Sequence, residues 1–233
     1  MDTLAIATWN AEWISKRSGR FQSALSRISE LDADILVLTE TSLDLISDQG
    51  YSALGGPDWG YPLDEDRRKV VLWSKWPIQE AGNEFVQPPG RHVGATISTP
   101  LGPVRVHAVC VPWRDAHVST GRRDATAWSE HLEFLAALRG ILKSERSDPI
   151  LGNMPYVLAG DFNQRDGTHA YGSDATRQAW SELLSEADLK EVTPSSIIDR
   201  VALSGGLQAS DPITLDPDGI SDHHAVLVKV EAS

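Results

Sequence analysis

Cysteine is almost missing from this sequence, and its scarcity limits the class of protein. Cys110 is the single cysteine among 233 residues. One thiol cannot close an internal disulfide, and it cannot build a cysteine zinc cluster. A reducing compartment is the default for such a chain, so we expect a cytoplasmic location.

Long apolar runs and an excess of positive charge are missing as well. No stretch approaches the length of a membrane span, and the apolar run within residues 1–7 is too short for a signal peptide. The chain has 21 Lys and Arg against 33 Asp and Glu, which gives a net charge of −12. That charge opposes non-specific adhesion to nucleic acid, but carboxylates are natural ligands of divalent cations. Because no apolar run is long enough, we expect no membrane span.

The rest of the composition is typical of a globular protein. Hydrophobic residues make up 41% of the chain and charged residues 23%, which is an ordinary balance. A length of 233 residues fits one large domain or two small ones. No repeat, low-complexity segment or linker divides the chain.

Strand patterns outnumber helix patterns. Apolar runs between turn residues predict strands at 4–9, 35–38, near 51, 70–73, 93–98, 104–111, 156–159, 197–203 and 225–230. Apolar residues at helical spacing predict helices at 21–31, at 122–144 and around 179–187. Several adjacent strands look antiparallel, which favours packed mixed sheets with helices outside over a doubly wound parallel sheet.

The other predicted features are organised around the stretch at residues 156–164. Its first residues predict a short buried strand that turns at Gly160. Asp161 and Asn163 are two residues apart, so both side chains leave one face if the chain stays extended. A proton-accepting carboxylate beside a carboxamide suits attack of water on phosphate. Asp and Asn after a strand are also common turn formers, and the stretch alone leaves both interpretations open.

Polar residues follow or end the other apolar runs in the same way. The set consists of Asn10, Glu12, Glu40, Asp161, Asn163, Asp199, Asp222 and His223. Their positions span nearly the whole chain. If they converge, residues 1–233 form a single domain and the first and last strands are near neighbours.

Six short stretches resemble the endonuclease/exonuclease/phosphatase superfamily, the DNase I-like metal-dependent phosphohydrolases. They are TWN at 8–10, LTE at 38–40, LWSKWPI at 72–78, AGDFN at 159–163, IDRV at 198–201 and SDHHA at 221–225. All six occur in the order of the family. The resemblance implies an α/β fold of the α+β type, a four-layer sandwich in which two packed mixed β-sheets are flanked by helices.

The resemblance also implies a role for each strand-end residue. For a bound Mg²⁺, or Mn²⁺ in its place, the resemblance implies Glu40 as the main ligand and Asp222 as a further ligand. It also implies Asn10 as a contact to that metal or to the phosphate, and Glu12 as a residue that could hold a second ion. Hard carboxylate and amide oxygens suit either ion. Asp161 is implied to orient or deprotonate the attacking water, with Asn163 helping to hold it. Asp199 and His223 resemble a dyad whose protonated ring steadies charge on the phosphate oxygens.

One position departs from the family pattern. Cys110 stands where many members carry Tyr or His against the phosphate, and a thiol is a weaker donor. A small buried hydrophobe is the alternative role for this cysteine. The candidates to supply the missing donor are His107, Trp113 and Arg114. Trp113 and Arg114 begin a cation-rich loop that either binds substrate or is simply solvated. Arg91 resembles a family position from which an arginine can approach the substrate.

The function implied is that of a Mg²⁺-dependent phosphodiester hydrolase, with a nuclease acting on DNA or RNA as the first candidate. The first alternative is a phosphatase or phosphodiesterase for a small phosphorylated molecule or lipid headgroup, which the acidic net charge favours. An alternative of another class is a catalytically weak binding protein with the same fold. No obligate protein partner is evident from the sequence.

Overall fold

The computed structural model describes residues 2–62, 64–82 and 88–233. This part of the chain contains thirteen strands: β1 Thr3–Asn10, β2 Ile35–Ser42, β3 Tyr51–Leu54, β4 Arg67–Ser74, β5 Ile78–Gly82, β6 His92–Thr99, β7 Gly102–Cys110, β8 Tyr156–Asp161, β9 Leu189–Glu191, β10 Asp199–Ser204, β11 Leu207–Ala209, β12 Ile213–Leu215 and β13 Ala225–Ala232. Its α-helices are α1 Phe21–Leu31, α2 Ser129–Arg146 and α3 Asp174–Glu186. No helix of these described residues is long and apolar enough to cross a membrane.

The strands form two mixed sheets with a similar arrangement of parallel and antiparallel strands. The first has the order β11-β13-β1-β2-β4-β3, with β12 also paired to β13, and the second has the order β5-β6-β7-β8-β10-β9. In each sheet the central pair is parallel, β1 with β2 and β7 with β8, while the other described pairings are antiparallel. The first strand pairs with the last, β13, as expected if the strand-end residues converge.

Three apolar layers hold the two sheets and the helices together. Branched side chains such as Val37, Val106 and Val228 fill the space between the sheets. Helix α1 covers the outer face of the first sheet, and α2 with α3 covers the second. Parallel central strands covered on both faces need apolar side chains on both sides, which explains their nearly continuous apolar sequence. The prediction of a four-layer sandwich is confirmed. The single domain over 1–233 stays a prediction.

The predicted start of the longest helix, near residue 122, is wrong. Helix α2 begins at Ser129, because Trp128 has a left-handed backbone with φ of 70° and donates its N–H to the Arg114 carbonyl at 2.8 Å. A positive φ at a residue other than glycine interrupts a right-handed helix. The short strands β5, β9, β11 and β12 were not predicted, since a few edge residues show no clear alternation.

Candidate active site

The carboxyl ends of the two parallel strand pairs lie at one edge of the sandwich. Asn10 ends β1 and pairs in register with Thr39 of β2, one residue before Glu40. In the other sheet, Cys110 ends β7 opposite Asp161 of β8. Asp161 is also opposite Asp199, the first residue of β10. Strand register thus places polar residues at this edge within each sheet.

A hydrogen bond joins the two sheets at this edge. The Asn10 side-chain amide donates to Asp161 Oδ2 at 2.9 Å, and both residues are buried. The Asn10 carbonyl oxygen of the side chain accepts from the backbone N–H of Glu12 at 2.9 Å, so the amide orientation is fixed from both ends. A buried carboxylate is costly unless it is hydrogen-bonded. Asn10 therefore holds Asp161 in place at this edge.

Asp161 and Asn163 meet through a turn, not through the extended conformation considered from the sequence. Strand β8 ends at Asp161, and Asn163 has a left-handed backbone with φ of 48°. Its backbone N–H donates to Asp161 Oδ1 at 2.8 Å, and its amide contacts Asp161 Oδ2 at 3.2 Å.

Gly160 lies in β8 beside β7, where an added Cβ would sit 1.9 Å from the Val109 carbonyl oxygen. Only glycine allows the two parallel strands to approach so closely.

The side chains of Asp199 and His223 are in direct contact. Asp199 Oδ2 lies 2.5 Å from His223 Nδ1, and both side chains are largely buried. The Ser221 hydroxyl donates to the Asn10 backbone carbonyl at 2.8 Å and accepts from the His223 N–H at 3.1 Å, which ties the histidine loop to β1. A cleft of about 230 Å³ beside this dyad is lined by both residues and by Arg165.

Electrostatics keep the His223 ring charged. Burial opposes the imidazolium, but the negative charges of Asp199, Asp161 and Asp222 outweigh it and raise the pKa of His223 to about 10. Burial raises the pKa of Asp199 to about 6, against the pull of the same ring. Between these values, the pair is an imidazolium and a carboxylate.

Glu40 occupies a strained position that aims its side chain into the site. Its φ is 46° inside strand β2, a backbone region that side chains other than glycine rarely adopt. The Glu40 carboxylate lies 2.5 Å from Lys69 Nζ. Burial disfavours the charged carboxylate, but the Lys69 ammonium outweighs that effect and lowers the pKa of Glu40.

The chemistry of the donor set suits a hard divalent cation. Glu40, Cys110 and Asp161 each offer one ligand atom, and these atoms lie within 4.8 Å of one another. Carboxylate oxygens are preferred ligands of Mg²⁺ and Mn²⁺. The Cys110 thiol is fully buried 3.8 Å from Asp161 Oδ2. Burial raises the pKa of Cys110 well above its usual range, so this thiol is neutral.

The remaining residues of the predicted metal set lie farther out. Glu12 pairs with Arg20 at 2.5 Å, and its side chain is 42% exposed. Asp222 is 73% exposed, with Oδ1 3.7 Å from His223 Nε2. Asp222 therefore borders the site from solvent, whereas Glu12 is tied to α1 through Arg20, the residue just before that helix.

Besides Cys110, three residues were expected to bind substrate, and they differ in their surroundings. Arg91 is buried, and its guanidinium donates to the carbonyls of Trp59 and Cys110, both at 3.2 Å. Arg91 therefore contacts the backbone at the end of β7 and is not open to solvent. Trp113 and Arg114 lie on the exposed loop after β7, where the Arg114 N–H donates to the Tyr171 hydroxyl at 3.2 Å. That loop is the accessible part of the predicted set.

Two outcomes correct the sequence interpretation. His107 is one of the candidate donors in place of Cys110, but its ring bonds to His92 and Glu145 at 3.0 and 2.9 Å, beneath α2. It therefore cannot reach the site. Lys69 was not predicted at all. The sequence carries little signal for it, because Lys69 ends a run of three cations directly before the predicted strand at 70–73.

The raised pKa of His223 leads to a prediction about pH. We expect the His223 ring to stay doubly protonated through the neutral range and to lose its proton only near pH 10, its pKa being about 10 against an ordinary 6.5. Because the folded value is the higher, the pair should stabilise the fold fully below the ordinary value and lose this contribution as the pH rises through about 10. Ring nitrogen shifts in NMR measure this directly, and titration near neutrality would contradict it.

Comparison with known proteins gives a family and a fold. A sequence model described as the Endonuclease/Exonuclease/phosphatase family matches residues 7–223, and no curated protein sequence matches the chain. An AP endonuclease structure from Archaeoglobus fulgidus superposes with a TM-score of 0.70 at 17% identity, covering 97% of this chain and 98% of that one. Sphingomyelinase C from Streptomyces griseocarneus gives 0.61 at 17%, covering 98% and 99%. An endonuclease/exonuclease/phosphatase from Beutenbergia cavernae gives 0.65 at 19%, covering 99% and 72%.

Proposed function

Because the chain belongs to the endonuclease/exonuclease/phosphatase family, we propose that it is a metal-dependent phosphodiester hydrolase. The observation that carries this proposal is the meeting of two polar pairs at one edge of the sandwich. Asn10 with Asp161 comes from the central strands, and Asp199 with His223 comes from strand β10 and the loop before β13. The first pair suits activation of water, and the second suits stabilisation of charge on a phosphate.

Glu40 would hold the metal ion, with Asn10 close by, because the Glu40 carboxylate lies within 4.8 Å of the ligand atom of Asp161, which accepts from the Asn10 amide. When bound, a divalent cation neutralises charge on the phosphoryl oxygens and lowers the pKa of a bound water. Mg²⁺ fits the carboxylate donors, and Mn²⁺ is the expected substitute.

Asp161 is the proposed acceptor for the proton of the attacking water. Burial raises the pKa of Asp161 and makes this carboxylate a stronger base than an exposed aspartate. The amides of Asn10 and Asn163 donate to Asp161 Oδ2 and hold it in one orientation. Preorganisation of this kind reduces the cost of reaching the transition state.

His223 is the proposed donor to the phosphate oxygens. Asp199 binds Nδ1, which leaves Nε2 facing the cleft shared with Asp222 and Arg165. The imidazolium can then stabilise negative charge that develops on the phosphate. Asp199 acts through the ring by fixing its orientation.

The substrate class is proposed as nucleic acid first, with a small phosphoester or lipid headgroup as the second candidate. The resemblance in sequence favours the first. The second is favoured by charge: the chain carries −12, and Arg122 of the adjoining loop is paired with Asp124 and Glu130. Structures of this fold include both an AP endonuclease and a sphingomyelinase C. A catalytically weak binding protein remains the alternative of another class.

A metal-supplemented screen tests the proposal and separates the candidates. Purified protein with Mg²⁺ or Mn²⁺ is assayed on single-stranded and duplex DNA, RNA, a generic phosphodiester, sphingomyelin vesicles and inositol phosphates. We expect hydrolysis of at least one phosphodiester. If nucleic acid is the substrate, affinity should fall only gently with salt, because few cations are available to neutralise its phosphates. No turnover on any substrate would leave the binding-protein alternative.

Cys110 offers a mild prediction about the same activity. Cys110→Ser should keep most of the activity and Cys110→Ala should cost little more, since a neutral buried thiol is a weak donor. Arg114→Ala should cost more than either, because it removes a charged group from the accessible loop. Steady-state rates of the three variants provide the measurement. Loss of turnover in Cys110→Ala with a silent Arg114→Ala would show that the thiol takes part in the chemistry.

A further inference from the structure

Lys69 is a nearly buried lysine in the middle of the candidate site. It lies in strand β4 directly across from Glu40, because Thr39 pairs with Val70 and Thr41 with Arg68. Only 8% of the residue is exposed. Its ammonium lies 2.5 Å from Glu40 Oε1 and 5.0 Å from the centre of the Trp13 ring. A buried ammonium needs such partners, because taking the charge out of water is costly.

The Lys69 charge acts on the same space as the candidate metal ligands. Its partner Glu40 has a carboxylate oxygen within 4.8 Å of the ligand atoms of Cys110 and Asp161. The positive charge of Lys69 lowers the pKa of Glu40 and opposes the burial that raises the pKa of Cys110. Lys69 is therefore the cation nearest to Glu40, and its flexible side chain allows the ammonium to change position.

A divalent cation and Lys69 compete for one carboxylate. If a cation takes Glu40, the ammonium loses its partner and is repelled by the added positive charge. In the proposed reaction, the anion that would enter the same space is the phosphate of the substrate. An ammonium is a compact donor that binds phosphate as a point charge. The neighbouring Cys110 is a poor substitute in that role, because its thiol is fully buried and a thiol is a weak hydrogen-bond donor.

We propose that Lys69 is a phosphate-binding residue of this site, held on Glu40 until a divalent cation takes that carboxylate. This inference rests on the proposed function, because it assumes a metal ion at Glu40 and a phosphate beside it. It assigns Lys69 two successive partners. The first is the protein's own carboxylate, and the second is the substrate.

Direct binding measurements test both partners without requiring turnover. Mn²⁺ affinity is measured by electron paramagnetic resonance for the wild-type protein, Lys69→Met and Lys69→Arg, and inorganic phosphate is then titrated into each Mn²⁺-loaded protein by calorimetry. Lys69→Met should bind Mn²⁺ about tenfold more tightly and phosphate about tenfold more weakly, the scale for one hydrogen bond to a charged group. Lys69→Arg should stay near the wild type for phosphate.

Lys75→Met is the matched control, since it removes the same charge from a lysine just after β4. Lys75 pairs with Asp34 at 2.8 Å, outside the candidate site. It should leave both affinities unchanged. Unchanged Mn²⁺ affinity in Lys69→Met would refute competition between Lys69 and the cation for Glu40. Unchanged phosphate affinity would refute phosphate binding by Lys69. Thermal melting reports whether Lys69→Met folds; if it does not, Lys69→Gln takes its place in the same two titrations.

The two proposals fail in different ways. If no phosphoester is hydrolysed in the screen but the Lys69→Met titrations give the expected changes, the inference about Lys69 stands and the hydrolase proposal falls. If hydrolysis is found and Lys69→Met behaves like Lys75→Met in both titrations, Lys69 is a structural residue and the hydrolase proposal stands.

Discussion

Replacing His223 with alanine should lower the turnover number by at least about a hundredfold, the scale for losing one electrostatic or proton-transfer group. The ring is held 2.5 Å from Asp199, and the pKa of about 10 keeps it positively charged at neutral pH. Its loss leaves the charge on the phosphate oxygens without this donor. Asp199→Asn should have a similar but milder effect, since the ring stays but loses the charge that orients it.

His169→Ala is the matched control for this experiment. His169 is an exposed residue between β8 and α3, outside the residues that line the cleft beside the dyad. Its removal should change the rate little. The measurement is the turnover number at saturating substrate, with circular dichroism confirming that each variant is folded. Nearly unchanged turnover in folded His223→Ala protein would remove His223 from the proposed chemistry.

Removing the metal, or its proposed main ligand, should have the second large effect. Activity of metal-stripped protein in chelator should vanish and return with Mg²⁺ or Mn²⁺. Glu40→Gln should lower activity by at least about a hundredfold at moderate metal concentrations, because the amide keeps the shape but not the charge that binds a hard cation. Excess metal should recover part of this loss, so the measurement is activity across a metal titration.

Glu12→Gln is the informative comparison for Glu40→Gln. The sequence predicted Glu12 as a contact to a second ion, but its carboxylate pairs with Arg20. We therefore expect the metal titration of Glu12→Gln to follow the wild type. An effect as large as that of Glu40→Gln would return Glu12 to the metal site. Full activity of metal-stripped wild-type protein in chelator would refute the metal-dependent mechanism itself.

The sequence predicted packed mixed sheets with helices outside because its core strands carry a strong local signal, whereas the four-layer sandwich was implied by the family resemblance. Strands such as β1 and β8 are buried on both faces, so they appear as short apolar runs bounded by polar residues. The site residues stand where those runs end, which makes Asp161, Asp199 and His223 recognisable from their positions in the sequence. Helix α2 was predicted too long at its start, because Trp128 belongs to the apolar pattern although its backbone is left-handed.

Other features depend on the tertiary structure. Lys69 lies beside Glu40 because β4 pairs with β2 in one particular register, and sequence spacing does not fix a register between separate strands. Likewise, the face on which His107 lies became clear only from its bonds to His92 and Glu145 beneath α2.

Local patterns therefore predicted packed mixed sheets with helices outside and polar residues at the strand ends, because burial periodicity and strand ends are local properties, while the four layers were implied by the family resemblance. The pairing of those residues depends on the tertiary structure. The Asn10 amide reaches Asp161 across 151 positions of chain, and Glu12 turns away to Arg20. The positive φ of Glu40 and of Asn163 aims each of these side chains. Asparagine adopts such a conformation readily at turns, whereas a positive φ at a glutamate inside a strand has no comparable local signal.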